Sequence, residues 1–383
     1  MRLTKYILLM SAFVFVVFAQ SQSDSTAIAD SILTLQLQAQ MQSQAVPIQT
    51  TPVIRSAPST NPDISAIGDF RSSYTNIGNR KIEMYLNELE LQVASVVDPY
   101  ARAEFLFSFG KDLNTGELGI ELEVGTLTST AIPFQIQATI GKFKPQFGKI
   151  NSLHPHYFDF VEFPRMISNF FDSEGMFMEG VSLNWIVPNP FDFYQELVVE
   201  VGRVGSEPNA SLVQGVTDRL LYTGHLKNFF DLTENATFEI GLSALTGPNT
   251  FGFTTNMADI DLTYKWKPIQ FNTYHSFIWQ TEAMISKTDV SVTKTIQTYG
   301  AYTFFEYQIE KRTFVGTRFD YSGLPGLEKS DERTTSLLLR FQPTEFQILA
   351  LEFQNINRNY GPSFNQVVFR AIFGIGTHAA HMY

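Results

Sequence analysis

Cysteine is absent from the 383 residues, so the chain can build neither a disulfide framework nor a thiolate metal site. Charge is sparse as well, with Asp, Glu, Lys and Arg at 17% of residues, and its balance is acidic: 38 acids against 27 bases. Such a balance argues against a nucleic-acid or anionic-lipid partner. After the first twenty residues, no apolar run reaches the roughly 20 residues that a membrane-spanning helix needs. A GxSxG elbow, a phosphate loop and an HExxH helix are missing too, so an enzyme is not expected. His225 and His275 fall on predicted strands, where they read as lumen or interface residues rather than as bases.

What the chain does have begins with a targeting pattern. Arg2 and Lys5 flank an almost unbroken apolar run from Ile7 to Phe18, and Val17-Phe18-Ala19 ends it at a site suited to a signal peptidase. Residues 1–19 are therefore read as a signal peptide, and the protein as exported to the cell outer membrane. Without Arg2 and Lys5 the balance is 25 bases to 38 acids, a net −13. Residues 20–62 are polar and rich in Gln, Ser and Pro, a composition that buries little. Ile28, Ile32, Leu35 and Ala39 fit a helical stripe within them. This stretch is expected to be a short, partly disordered or helical periplasmic arm.

From 63 to 383 the pattern has period two. Phe105, Phe107 and Phe109 alternate with polar neighbours, as do Ile120, Leu122 and Val124, then Phe238, Ile240 and Leu242, then Leu349, Leu351 and Phe353. Alternation of this kind means strands with one apolar face, and without long helices to cross over, an antiparallel sheet. The runs number about sixteen, with about 14–18 allowed by their boundaries. Short turns such as Val97-Asp98-Pro99, Lys267-Pro268-Ile269 and Gln342-Pro343-Thr344 alternate with longer links, among them Pro145–Glu179, Gly205–Asp218 and Lys287–Thr295. That parity predicts an all-β, transmembrane antiparallel β-barrel with short periplasmic turns and long outer loops. Tyr274, Phe277, Trp279, Tyr299, Tyr302, Phe304 and Phe305 are expected in its lipid-boundary girdles.

The link 145–179 is the longest and holds the candidate site. Phe158, Phe160, Phe163, Phe170, Phe171 and Phe177 are more aromatics than a solvated loop can use. They suggest a loop packed inward that narrows the pore. Asp159, Glu162, Arg165, Asp172 and Glu174 are its candidate constriction residues, and excess carboxylate there would favour cations. His154 and His156 flank Pro155 and are candidate ligands for a divalent metal such as zinc. At the other end of the chain, His378 and His381 are three apart, on opposite faces of an extended strand. The alternating strand that precedes them, with Phe373 and the terminal Tyr383, reads instead as a signal for barrel-assembly machinery.

Several stretches resemble one bacterial family. These are Gly141-Lys142-Phe143-Lys144-Pro145-Gln146-Phe147-Gly148-Lys149 with Asn151 to His156 after it, Asp98-Pro99-Tyr100-Ala101-Arg102-Ala103, Leu242 to Asn249, and the closing Gly376-Thr377-His378-Ala379-Ala380-His381. Together they are similar to the zinc-regulated TonB-dependent outer-membrane receptors, and the first also resembles phosphate-selective porins. The porin likeness implies a sixteen-stranded channel; the receptor likeness implies zinc-linked uptake. A TonB-type transporter encloses a plug in a 22-stranded barrel, for which the arm 20–62 is too short. The reading is therefore a porin-like channel for small hydrophilic solutes with a modest cation preference. Its alternatives are a zinc-linked receptor and a closed structural barrel. No cofactor is expected, apart from zinc under the second of these readings. Expected partners are outer-membrane lipid, the assembly machinery, small solutes or ions, and further copies of the chain.

Overall fold

The computed structural model describes residues 62–78, 81–111, 118–191, 193–205, 211–213 and 218–376. The arm, the signal segment, His378, His381 and Tyr383 lie outside them. Sixteen strands follow in chain order. The first eight are β1 (Asp63–Thr75), β2 (Ile82–Asp98), β3 (Ala101–Lys111), β4 (Leu118–Ile132), β5 (Ile136–Phe143), β6 (Met178–Ile186), β7 (Tyr194–Val204) and β8 (Leu221–Thr233). The rest are β9 (Ala236–Pro248), β10 (Thr254–Trp266), β11 (Phe277–Ser291), β12 (Lys294–Glu310), β13 (Thr313–Gly323), β14 (Asp331–Thr344), β15 (Gln347–Arg358) and β16 (Phe364–Gly376). Each pairs antiparallel with its chain neighbours, and β1 pairs with β16 from Ser65↔Gly376 to Thr75↔Gln366, so the sheet closes on itself.

Closure removes the edges that would leave backbone groups unpaired in lipid. The barrel is inside-out relative to a soluble protein. Leu349, Leu351 and Phe353 on β15 are exposed outward, while Glu352 and Gln354 between them are buried. Phe369, Phe373 and Ile375 face outward on β16, and Val368, Arg370 and Ile372 inward. An outward apolar belt over a polar lumen is the pattern of an outer-membrane barrel.

Three sequence expectations are corrected. Lys287–Thr295 is not a long loop: β11 runs to Ser291 and β12 resumes at Lys294. Its Thr, Ser and Val residues are polar enough to read as loop, yet they carry the ladder to a two-residue turn. Tyr302 and Phe304 are not girdle residues; both are buried inside the barrel, 2% and 1% exposed. Strand alternation puts Phe305 outside, where it stacks on Trp279, and therefore puts Phe304 inside. Finally, Val124 does not share the outward face of Ile120 and Leu122. A bulge in β4 leaves Glu123 without a register partner between Leu122↔Phe107 and Val124↔Leu106. The extra residue reverses the parity, and Glu123 points inward, 2% exposed.

Candidate functional site

Residues 144–177 connect β5 to β6 and fold into the lumen. Pro155 opens a single 3-10 turn, Pro155–Tyr157, and Pro164 precedes the six-residue helix α1, Arg165–Phe170. The six phenylalanines are all buried, between 0% and 6% exposed. With Phe147, Ile150, Met166 and Ile167 they pack onto inward-facing Leu221, Leu245, Met257, Met284, Phe304, Leu338 and Val368. Phe158 meets Phe163 edge-on at 4.6 Å, and Phe160 meets Phe304 at 5.2 Å. Two glycines permit the approach. Gly148 has φ +68°, and a Cβ there would lie 1.8 Å from Glu282 Oε1; one on Gly300 of β12 would lie 2.5 Å from Met166 Cβ.

Polar pins fix the loop at its margins. Gly148 N–H donates to Ser243 Oγ at 2.9 Å, and that hydroxyl lies 2.8 Å from His225 Nδ1 inside the lumen. Val161 N–H donates to Glu352 at 2.8 Å and Arg165 N–H to Asp320 at 3.1 Å. Three wall arginines complete the frame, each neutralised by a wall carboxylate. Arg318 holds Asp320 at 2.9 Å and donates to the Glu162 carbonyl at 2.8 Å. Arg340 pairs with Glu306 and reaches Asp159 at 3.1 Å. Arg370 holds Asp69 and donates to the carbonyls of Pro155 and Val161 at 3.0 and 3.3 Å.

The predicted site residues separate. Asp159 lines a cavity of about 1740 Å³ inside the barrel. Glu162 and Arg165 pair at 3.4 Å, and Gln354 on β15 bonds both. Burial opposes the Glu162 charge, but Arg165 and Arg71 outweigh it and hold the carboxyl below its ordinary range. Asp172 bonds the following Ser173 N–H, and the Glu174 carbonyl accepts from Lys144 Nζ at 2.5 Å. Neither borders the cavity.

His154 and His156 do come together, their rings stacked 5.9 Å apart. His156 Nδ1 bridges Glu90, at 3.1 Å from Oε1 and 3.0 Å from Oε2. His154 Nδ1 lies 3.1 Å from Glu123 Oε2. Burial, and next the Lys144 charge, push the His154 imidazole down to about 4. Burial likewise lowers His156 despite its bond to Glu90. Both rings are thus neutral at ordinary pH, with a lone pair to offer.

Sequence reasoning missed Asp69, Glu90, Glu123, Glu306, Arg318, Arg340 and Arg370. Most carried one legible signal, a charged residue at the parity opposite an apolar strand face. Glu123 did not, because the bulge that turns it inward follows no local pattern.

The cavity is lined by loop and wall together. Glu104, Asp159, Glu196, Glu200, Asp231, Glu234, Glu239 and Glu306 border it, against Lys144, Lys149, Lys227, Lys265, Lys267 and Arg340. It reaches the β8–β9 turn at Glu234 and Asn235 and the β10–β11 link at Lys267 and Asn272.

No protein-family model matches the sequence. An uncharacterized protein of Aquifex aeolicus is 27% identical over 344 residues, covering 79% of this chain and 71% of that protein. Among solved structures, the anion-selective porin of Comamonas acidovorans is similar at TM-score 0.56 and 12% identity, over 82% of this chain and 99% of its own. The outer-membrane channel DcaP of Acinetobacter baumannii matches at 0.56 and 12%, over 83% and 98%. A trimer form of OmpT, an outer-membrane protein of Vibrio cholerae, matches at 0.52 and 10%, over 82% and 100%. The TonB and zinc parts of the family name suggested by the sequence find no counterpart among these three. The chain has the closed, sixteen-stranded fold of outer-membrane porins.

Proposed function

We propose that the protein is a porin-like channel through which small hydrophilic solutes pass passively, with loop 144–177 as its constriction. The observation that carries this reading is the cavity of about 1740 Å³, polar on both its loop side and its wall side. Eight acids and six bases border it, so a modest preference for cations follows. Screening limits the effect, because the Debye length is about 8 Å at physiological salt. In planar bilayers the folded chain is expected to give discrete conductance steps. Reversal potentials in a salt gradient should favour cations, the preference fading as salt rises. Combining Glu104→Gln, Asp159→Asn and Glu196→Gln should weaken it further. A heat-modifiable, folded preparation that passes no ions would instead establish a closed structural barrel. Assembly into trimers is part of the proposal, by extension from the Vibrio protein, and native mass spectrometry in detergent checks it.

A further inference from the structure

We propose that Glu90, Glu123 and His154 form a binding site for one divalent transition-metal ion, which staples the lumen loop to the barrel wall. One donor atom from each residue lies within 4.8 Å of the other two. Glu90 comes from β2, Glu123 from the bulge of β4, and His154 from the loop, so the donors join three separate parts of the chain.

Two observations point to an ion rather than to simple contact. First, Glu90 Oε2 and His154 Nδ1 are both buried and make no hydrogen bond of good geometry, although His154 Nδ1 sits only 3.1 Å from Glu123 Oε2. Donors on a tetrahedral ion at about 2.0–2.2 Å lie roughly 3.3 Å from one another. That spacing without a shared hydrogen bond suits two ligands of one ion. Second, the carboxylates lack a fixed cation. Among the described residues, no Lys or Arg nitrogen pairs with Glu90 or Glu123, although both are under 4% exposed. Lys144 is the nearby candidate, but its ammonium donates to the Glu174 carbonyl and sits over the rings of Phe163 and Phe177. A buried, unpaired carboxylate is costly, and a divalent ion would neutralise both.

The donor set narrows the ion. One imidazole with two carboxylates suits zinc and its transition-metal neighbours better than calcium or magnesium, which take oxygen alone. His156 is then a positioning residue, orienting the Glu90 carboxylate from the outer shell. His154 borders the cavity, which leaves an entry path and room for a water ligand.

The test uses the full chain, folded in detergent and stripped with a chelator, and does not depend on whether the barrel conducts. Calorimetric titration with zinc chloride should show one ion per chain. His154→Ala and Glu123→Gln should each weaken binding by at least about tenfold, while a His378→Ala, His381→Ala double variant should bind as the wild type does. Zinc should also slow amide exchange across 150–157 in the wild type and not in His154→Ala. Every variant is first checked for heat-modifiable migration, and if His154→Ala does not fold, Glu123→Gln supplies the affinity ratio. The site is refuted by no saturable zinc binding in the folded wild type, by equal binding in the loop and wall variants, by loss confined to the tail variant, or by calcium displacing zinc at equal concentration.

Discussion

Arg370 stands where the barrel seam and the loop meet. Its guanidinium grips Asp69 through two bonds of 3.0 Å across the β1–β16 pairing, and its remaining donors serve two loop carbonyls. A planar fork does this; a lysine ammonium would not. Arg370→Met would leave the Asp69 charge buried and unpaired, a loss of about 3–5 kcal/mol. It should lower the urea concentration at which the folded band disappears, and an unchanged midpoint would show the pair to be dispensable. Gly148 poses the opposite problem, since any side chain there would meet Glu282. Gly148→Val should push the loop off the wall while the barrel still folds. Altered single-channel conductance with normal heat-modifiable migration is the expected result.

At the scale of elements, strands and loop differ in how far the sequence reveals them. Leu349, Leu351 and Phe353 announce a strand because lipid selects the same face along its whole length. The polar end of β11, from Lys287 to Ser291, hid its strand character because it is paired without being lipid-facing. The loop betrayed its inward fold through its phenylalanines, whose rings need a dry surface. Its pins were illegible, because Val161 and Glu352 are 191 positions apart and only closure of the barrel brings them together. Likewise His154 and His156 could be named from their spacing, but their wall partners could not. The loop is also separable in principle from the hairpin that carries it. The pairing of β5 with β6, from Ile136↔Trp185 to Phe143↔Met178, uses no loop residue. Replacing 150–172 by a short Gly-Ser link should leave a folded barrel and raise its conductance several-fold. Equal conductance would remove the constriction role.

For the whole molecule, insertion depends on the final strand. The outward face of β16 ends in Phe369, Phe373 and Ile375, and Tyr383 closes the chain beyond the described residues. We propose that Tyr383 and Phe373 form part of the signal read at assembly. Tyr383→Asp should then reduce the folded barrel in the membrane and leave unfolded protein behind, whereas normal abundance would remove that role. The cluster of phenylalanine and methionine between loop and wall has a further consequence. Most of what holds a membrane barrel together is nearly indifferent to the hydration of apolar groups, since its apolar surface already faces lipid. This cluster is not, because water waits in the cavity beside it. Releasing the loop would wet the aromatic rings and so raise the heat capacity. Attraction of that origin fades on cooling, so the loop should loosen in the cold while the hydrogen-bonded wall around it stays closed.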